Sequence, residues 1–192
     1  DEALRQDPNS MMAVECAIKD NKLFIYGEAT TKAQIDYDSI ARKILKEIGY
    51  DCEFDIVKQI SIQSPDINQA VNKKVICAND QGMVYGYATN ETKEYMPLPI
   101  IVAHKLMRKY EEFRKTHKGY FSDAKSQVTV EYNNNDPVGI ETVLVSVSHS
   151  NELTKEEIRN TIAEEVIAPV LAEYAYLITA TTDLIVNPSG KF

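Results

Sequence analysis

The sequence predicts an α+β fold: repeated modules of mixed, mostly antiparallel sheet with helices on one face. Three observations point there. Short stretches alternate apolar and polar residues, the period of a half-buried strand, and two pairs of them are joined by polar turns as in hairpins. Longer stretches carry apolar residues at helical spacing between recognisable start and stop signals. The order of these elements in the first half of the chain returns in the second.

In chain order, Met12 to Ile18 and Leu23 to Ala29 are strands around the turn Lys19-Asp20-Asn21-Lys22. Asp36 to Ile48 places Tyr37, Ile40, Ile44, Leu45 and Ile48 at helical spacing, and Gly49 supplies the stop. Phe54 to Ile62 is a strand, Gln63 to Ala78 a polar loop containing Pro65, and Met83 to Ala88 a short strand. Pro97 to Thr116 is a helix: Pro97 and Pro99 suit its first turn, and Ala103, Leu106, Met107, Tyr110 and Phe113 form its buried stripe. Ser126 to Tyr132 and Val138 to Val147 flank the turn Asn133-Asn134-Asn135-Asp136 as a second hairpin. Thr154 caps a helix running to Leu171, with Glu157 at the capping-box position, and Leu184 to Val186 is a last strand. The first half reads helix, strand, strand, helix, strand. The second reads strand, helix, strand, strand, helix, strand. No residue-level repeat accompanies this order. The expected division is a first domain over residues 1–66, a connecting loop over 67–78 and a second domain over 79–192.

Composition narrows the function classes. With 192 residues, 44% hydrophobic and 26% charged, the chain reads as a soluble globular protein of one large or two small domains. No run approaches the ~20 apolar residues that span a bilayer, and no signal-peptide pattern opens the chain. Cys16, Cys52 and Cys77 are odd in number and far apart, as expected of reduced core thiols in a cytoplasmic protein. A net charge of −8 argues against broad contact with nucleic acid and leaves an anionic small substrate in a local basic pocket. Asp1 to Pro8 reads as the last turns of a helix, and Asn187 to Phe192 as a turn that precedes another element, so a segment of a longer polypeptide is expected.

The stretch Asp123 to Tyr132 is the richest in chemistry. From Gln127, Val128 and Val130 alternate with polar residues, and Asp123 and Lys125 sit on the loop that feeds this strand. A rigid strand there aims a carboxylate and an ammonium at one point, where a polyanionic nucleotide fits.

GEATTKA (27–33), EIGY (47–50), QSPDINQ (63–69), NDQGMVYGYATNET (79–92), MPLPI and AHKL between Met96 and Leu106, DAKSQVTVEY (123–132) and NPSGKF (187–192) occur in this order. Together they resemble S-adenosylmethionine synthetase, or methionine adenosyltransferase, across essentially the whole chain. The resemblance implies an enzyme that joins L-methionine to ATP. The sulfur attacks the ribose C5′, and the triphosphate leaves and is hydrolysed to diphosphate and phosphate, with magnesium and potassium assisting. It also implies three similar α+β domains about a pseudo-threefold axis, with self-association as dimer or tetramer around an active site shared by two subunits. The two modules would be the first two of the three domains.

Position by position, the resemblance implies that Glu15 holds potassium. Glu28, Gln63 and Asp80 would surround methionine, Asp80 facing the forming sulfonium. Asp123 would contact adenosine, and Lys125, the catalytic residue, the phosphates. Lys191 and Phe192 belong to the nucleotide site, Phe192 stacking on adenine. The segment Gln63, Ser64, Pro65, Asp66, Ile67, Asn68 and Gln69 opens a gate loop that extends to Asn72 and excludes water. A thioether needs no general base, only positioning, an anionic setting for the sulfonium and cations for the departing triphosphate. The family's GHPDK segment would lie upstream of Asp1, and its GGP-x-GD segment downstream of Phe192.

The chain departs from the family pattern in places. Asn79 stands for glycine before DQG, Phe121-Ser122 for Arg-Pro before DAKSQ, Ser148 for glutamine before His149-Ser150, and Lys191 for arginine before Phe192. Each residue also fits a plainer role: Asp123 and Lys125 a solvated pair, Glu28 a strand-end carboxylate, Asp80 a turn residue, Phe192 core. The alternative function is a catalytically incomplete homologue that binds adenine nucleotide or a partner subunit without turnover.

Overall fold

The computed structural model describes residues 1–62 and 82–190. It divides into two compact units, Asp1–Val84 and Tyr85–Phe192.

The first unit is built on a helix-strand-strand-helix-strand path: α1 (Glu2–Gln6), β1 (Met11–Lys19), β2 (Lys22–Thr30), α2 (Tyr37–Ile48) and β3 (Asp55–Ser61). β1 and β2 form the expected antiparallel hairpin, turned at Asp20 with φ 53°. The chain then crosses over through α2, so β3 pairs parallel to β2 and the sheet order is β1-β2-β3. α2 begins where Asp36 accepts the Ser39 N–H at 3.1 Å and stops at Gly49, whose φ of 104° suits a residue without Cβ. Its buried seam is narrower than its apolar pattern. Ala41 and Leu45 pack with Leu23, Ile25 and Phe54, and Tyr37 packs at the margin, while Ile44 and Ile48 stay exposed. One helix over three strands covers only an i, i+4 ridge.

The second unit repeats the path: α3 (Leu98–Arg114), β4 (Tyr120–Asn133), β5 (Asp136–His149), α4 (Lys155–Ile162) and β6 (Ile178–Val186). β4 and β5 are antiparallel, β5 and β6 parallel, in the order β4-β5-β6. Each sheet is thus mixed, as expected, with the longer pairing antiparallel and the third strand parallel because each module closes with a helical crossover. The helices cover one face. Leu98, Val102, Leu106, Tyr110 and Phe113 of α3 and Ile158 and Ile162 of α4 meet Val143, Val145 and Val147 of β5. Several of these are fully buried, each worth about 1.5–3 kcal/mol of apolar transfer.

The capping box at Thr154 is present in both directions: its hydroxyl accepts the Glu157 N–H, and the Glu157 carboxylate accepts the Thr154 N–H. The helix does not run unbroken to Leu171. It widens to a π turn over Ala163–Ile167, continues as α5 (Ala168–Leu171) and tightens to a 3₁₀ turn over Ala172–Leu177. Pro169 has no N–H for the carbonyl four residues back, which loosens the ladder there.

Other expectations are corrected. Residues 82–89 hold no strand, and Met83, Val84, Tyr85 and Tyr87 are exposed. Their apolar character found no ladder among the described residues, and without that strand the two units share one element order. β4 starts at Tyr120, so Asp123 and Lys125 lie within the strand and not on a feeding loop. Cys16 and Cys52 are exposed rather than core thiols: Cys16 is on edge strand β1 and Cys52 in the loop after α2, both beyond what α2 covers. Cys77 and the 67–78 connection lie outside the described residues. Among the described residues, no helix is long and apolar enough to cross a membrane.

Candidate functional site

In each unit the face of the sheet turned away from the helices carries two of the charged residues singled out above, Glu15 and Glu28 in the first and Asp123 and Lys125 in the second. Directly paired residues share a face, and the face alternates along each strand. On the first sheet, three rows cross the open face: Ala17–Phe24–Val57, Glu15–Tyr26–Gln59 and Ala13–Glu28–Ser61. Glu15 is exposed and Glu28 half-buried. They sit in adjacent rows, diagonal neighbours across the hairpin. Phe24, Tyr26 and Val57 beside them remain 38%, 47% and 41% exposed, an apolar surface with two carboxylates set in it.

Gly27 explains how Glu28 reaches this position. A Cβ on Gly27 would lie 2.1 Å from the Ala13 carbonyl oxygen, and the φ of 138° is one that L side chains rarely adopt. Only glycine lets β2 lie this close to β1 immediately before Glu28. Two residues on, the Thr30 hydroxyl is buried without a hydrogen-bond partner among the described residues. Sequence reasoning missed Thr30. Its one signal was parity with Glu28 along the strand.

On the second sheet, Asp123, Lys125 and Gln127 are exposed, while Ser122, Ala124 and Ser126 alternate with them as half-buried residues. Asp123 and Lys125 therefore share one face. Ser126 turns the other way, and its hydroxyl donates to the Ala103 carbonyl of α3 at 2.9 Å. Lys125 pairs with Ser146 on β5, and the next rows are Gln127–Leu144–Ile185 and Thr129–Thr142–Asp183.

Asp123 stands in a bulge. Tyr120 pairs with His149 and Ala124 with Val147, so β4 spends two more residues than β5 over this interval. The departures Phe121 and Ser122 both fall in it. The Tyr110 hydroxyl of α3 donates to the Phe121 carbonyl at 2.6 Å and pins the bulge to the core. Burial pushes the Tyr110 phenol well above the usual tyrosine range, so it remains a donor at all physiological pH. The hairpin tip is tied separately: Glu91 accepts from the Tyr132 hydroxyl at 2.6 Å and from the Leu98 N–H at 3.1 Å, beside a polar cavity of about 640 Å³ lined in part by Tyr87, Asn135 and Asp136.

Glu15, Glu28, Asp123 and Lys125 are thus placed, in two pairs, one per unit. Gln63, Ser64, Pro65, Asp66, Ile67, Asn68, Gln69, Asp80, Lys191 and Phe192 lie outside the described residues. Among the described residues no group of three or more His, Cys, Asp or Glu side chains converges as a metal site.

Comparison with known families decides the ancestry. Residues 1–76 match the S-adenosylmethionine synthetase N-terminal domain, and residues 75–192 match the central domain. The chain belongs to the S-adenosylmethionine synthetase family. The two matched domains each contain one of the two sheets, and the matched segments meet at residues 75–76, outside the described residues. The helix-strand-strand-helix-strand order shared by the two units thus falls once in each matched domain.

Proposed function

We propose that this chain supplies methionine- and nucleotide-binding surfaces of a methionine adenosyltransferase, which forms S-adenosylmethionine from ATP and L-methionine and releases phosphate and diphosphate. The observation that carries this reading is the sharing of open sheet faces. Glu15 lies with Glu28 on one, and Asp123 with Lys125 on the other, in a chain whose two halves match two domains of that family. Paired charges on a helix-free sheet face are available to a ligand, whereas the opposite face is consumed by the core.

The roles follow from the groups. The Glu28 carboxylate receives the methionine ammonium through charge-assisted hydrogen bonds, and Gln63 is a second methionine contact. Asp80 places negative charge where the sulfonium develops. The Asp123 carboxylate accepts hydrogen bonds from the adenosine, Lys125 binds the phosphate chain as its charge builds in the leaving triphosphate, and Lys191 and Phe192 complete the nucleotide site. The loop beginning at Gln63 closes over the reactants and excludes water.

Glu15 offers a hard oxygen donor on an exposed face, which suits potassium as one ligand among several. Magnesium, when bound, would neutralise triphosphate charge. Among the described residues no group of three or more His, Cys, Asp or Glu side chains is gathered for it. The apolar surface of Phe24, Tyr26 and Val57 around Glu15 and Glu28 suits cover by a second copy, giving a dimer or tetramer with a shared site.

The test is kinetic. Full-length protein with ATP, methionine, magnesium and potassium should release phosphate and diphosphate, and Lys125→Ala should lose most of the rate with an unchanged melting temperature. A rate unaffected by Lys125→Ala removes it from the phosphate site. Uptake of a non-hydrolysable ATP analogue without turnover would support the binding-only homologue instead.

A further inference from the structure

Ser146 stands on β5 between two valines of the core. Val145 and Val147 are fully buried against the helices. Side chains alternate along a strand, so Ser146 belongs to the opposite, open face of the sheet. Its direct partner across the ladder is Lys125, and directly paired side chains have their Cβ atoms about 5 Å apart. Two residues back on β5, Leu144 shares the face and pairs with Gln127.

Among the described residues the fold buries the small polar side chain of Ser146 to 3% exposure. A buried hydroxyl usually finds a partner. That of Ser126, next to Lys125 in sequence, does so by donating to the Ala103 carbonyl at 2.9 Å. The Ser146 hydroxyl has no hydrogen-bond partner among the described residues. Nor is it sealed in: the unpartnered hydroxyl shut off from solvent, among the described residues, is that of Thr30. Burying a hydroxyl in this state costs free energy that an apolar residue would spare, and the same face already takes Leu144.

The two paired groups differ in a useful way. Lys125 brings a charge on a long, mobile stem, and Ser146 a short, directional donor at the level of the sheet. An ammonium beside a hydroxyl suits an anion rich in acceptor oxygens, which a phosphate chain is. Asp123, on the same face, repels such an anion toward the Lys125–Ser146 row. We propose that Ser146 is a further phosphate-binding residue, its hydroxyl donating to the phosphate chain that Lys125 holds. This rests on the nucleotide site of the proposed function and adds to it a residue outside every motif that carries the family resemblance.

Calorimetry on the full-length protein, with magnesium present, compares three probes: adenylyl imidodiphosphate, inorganic tripolyphosphate and adenosine. Ser146→Ala should weaken the first two by about tenfold, the loss of one hydrogen bond to a charged group, and leave adenosine within about twofold. Its melting temperature should match or exceed that of the parent, because no partner is lost with the hydroxyl. Ser146→Cys keeps the size but donates weakly. It should bind like Ser146→Ala, and it takes that variant's place if the alanine form does not fold. Equal weakening of all three probes, or weaker binding together with a lower melting temperature, would mark Ser146 as structural and overturn the proposal. Weakening of adenosine alone would assign the hydroxyl to the nucleoside and overturn the phosphate role. Tripolyphosphate affinity unchanged by Ser146→Ala but reduced by Lys125→Ala defeats the role of Ser146 alone. Affinity unchanged by Lys125→Ala as well defeats the nucleotide reading beneath it.

Discussion

Glu28 stands diagonally across the β1–β2 hairpin from Glu15, the two carboxylates on one open face with Tyr26 directly beside Glu15. Two carboxylates on one open face suit a cationic ligand, an ammonium or a metal ion. Glu28→Gln should raise the KM for methionine by about tenfold, the loss of one charge-assisted hydrogen bond, with the KM for ATP unchanged. Glu15→Gln should instead blunt activation by potassium. Steady-state kinetics at varied methionine and varied potassium separate the two, and interchanged effects would refute the assignment.

Gly27 and Ala13 set the spacing of the same hairpin. Gly27→Ala places a methyl group against the Ala13 carbonyl at a φ unsuited to alanine. The expected loss is more than about 2 kcal/mol of stability, seen by calorimetry as an earlier melting transition. A variant that melts with the parent would mean β2 relaxes freely away from β1.

Tyr110 governs the bulge that carries Asp123. Tyr110→Phe removes the donor to the Phe121 carbonyl and keeps the buried ring. Stability should fall by about 1 kcal/mol, and the KM for ATP should rise more than that for methionine. Equal changes in the two KM values would argue that the bulge has no bearing on nucleotide.

Acid should loosen two helix starts. The Asp36 carboxyl is held below the usual carboxylate range by the Ser39 hydroxyl and N–H, and Glu157 by the Thr154 hydroxyl and N–H. A depressed folded value means the unfolded chain protonates first. The stabilisation is complete above the unfolded values of roughly 4 and disappears as pH falls through the folded ones. Urea midpoints should decline from about pH 5 downward. Thr154→Ala, which should cost about 1 kcal/mol at neutral pH, should make that decline shallower. An identical pH profile in the variant would exclude Glu157 from the effect.

Helices and hairpins were legible because their signals are local. Asp36 and Gly49 bracket α2, Thr154 and Glu157 start α4, and period-two alternation marks both hairpins within a few residues of their turns. The family was legible through motifs, and the family match agrees with that source. Less legible was anything decided by a partner. Met83 to Ala88 has strand-like composition and no strand, and Cys16 has core chemistry on an uncovered edge.

The sequence by itself determined where the hairpins lie and the caps that start α2 and α4 and stop α2, since those depend on neighbours a few residues away. Only the tertiary structure decided the third strand's direction in each sheet, the bulge at Asp123 and the diagonal meeting of Glu15 with Glu28. Each of these is a contact between segments distant in the chain, and its geometry is set by the core those segments bury together.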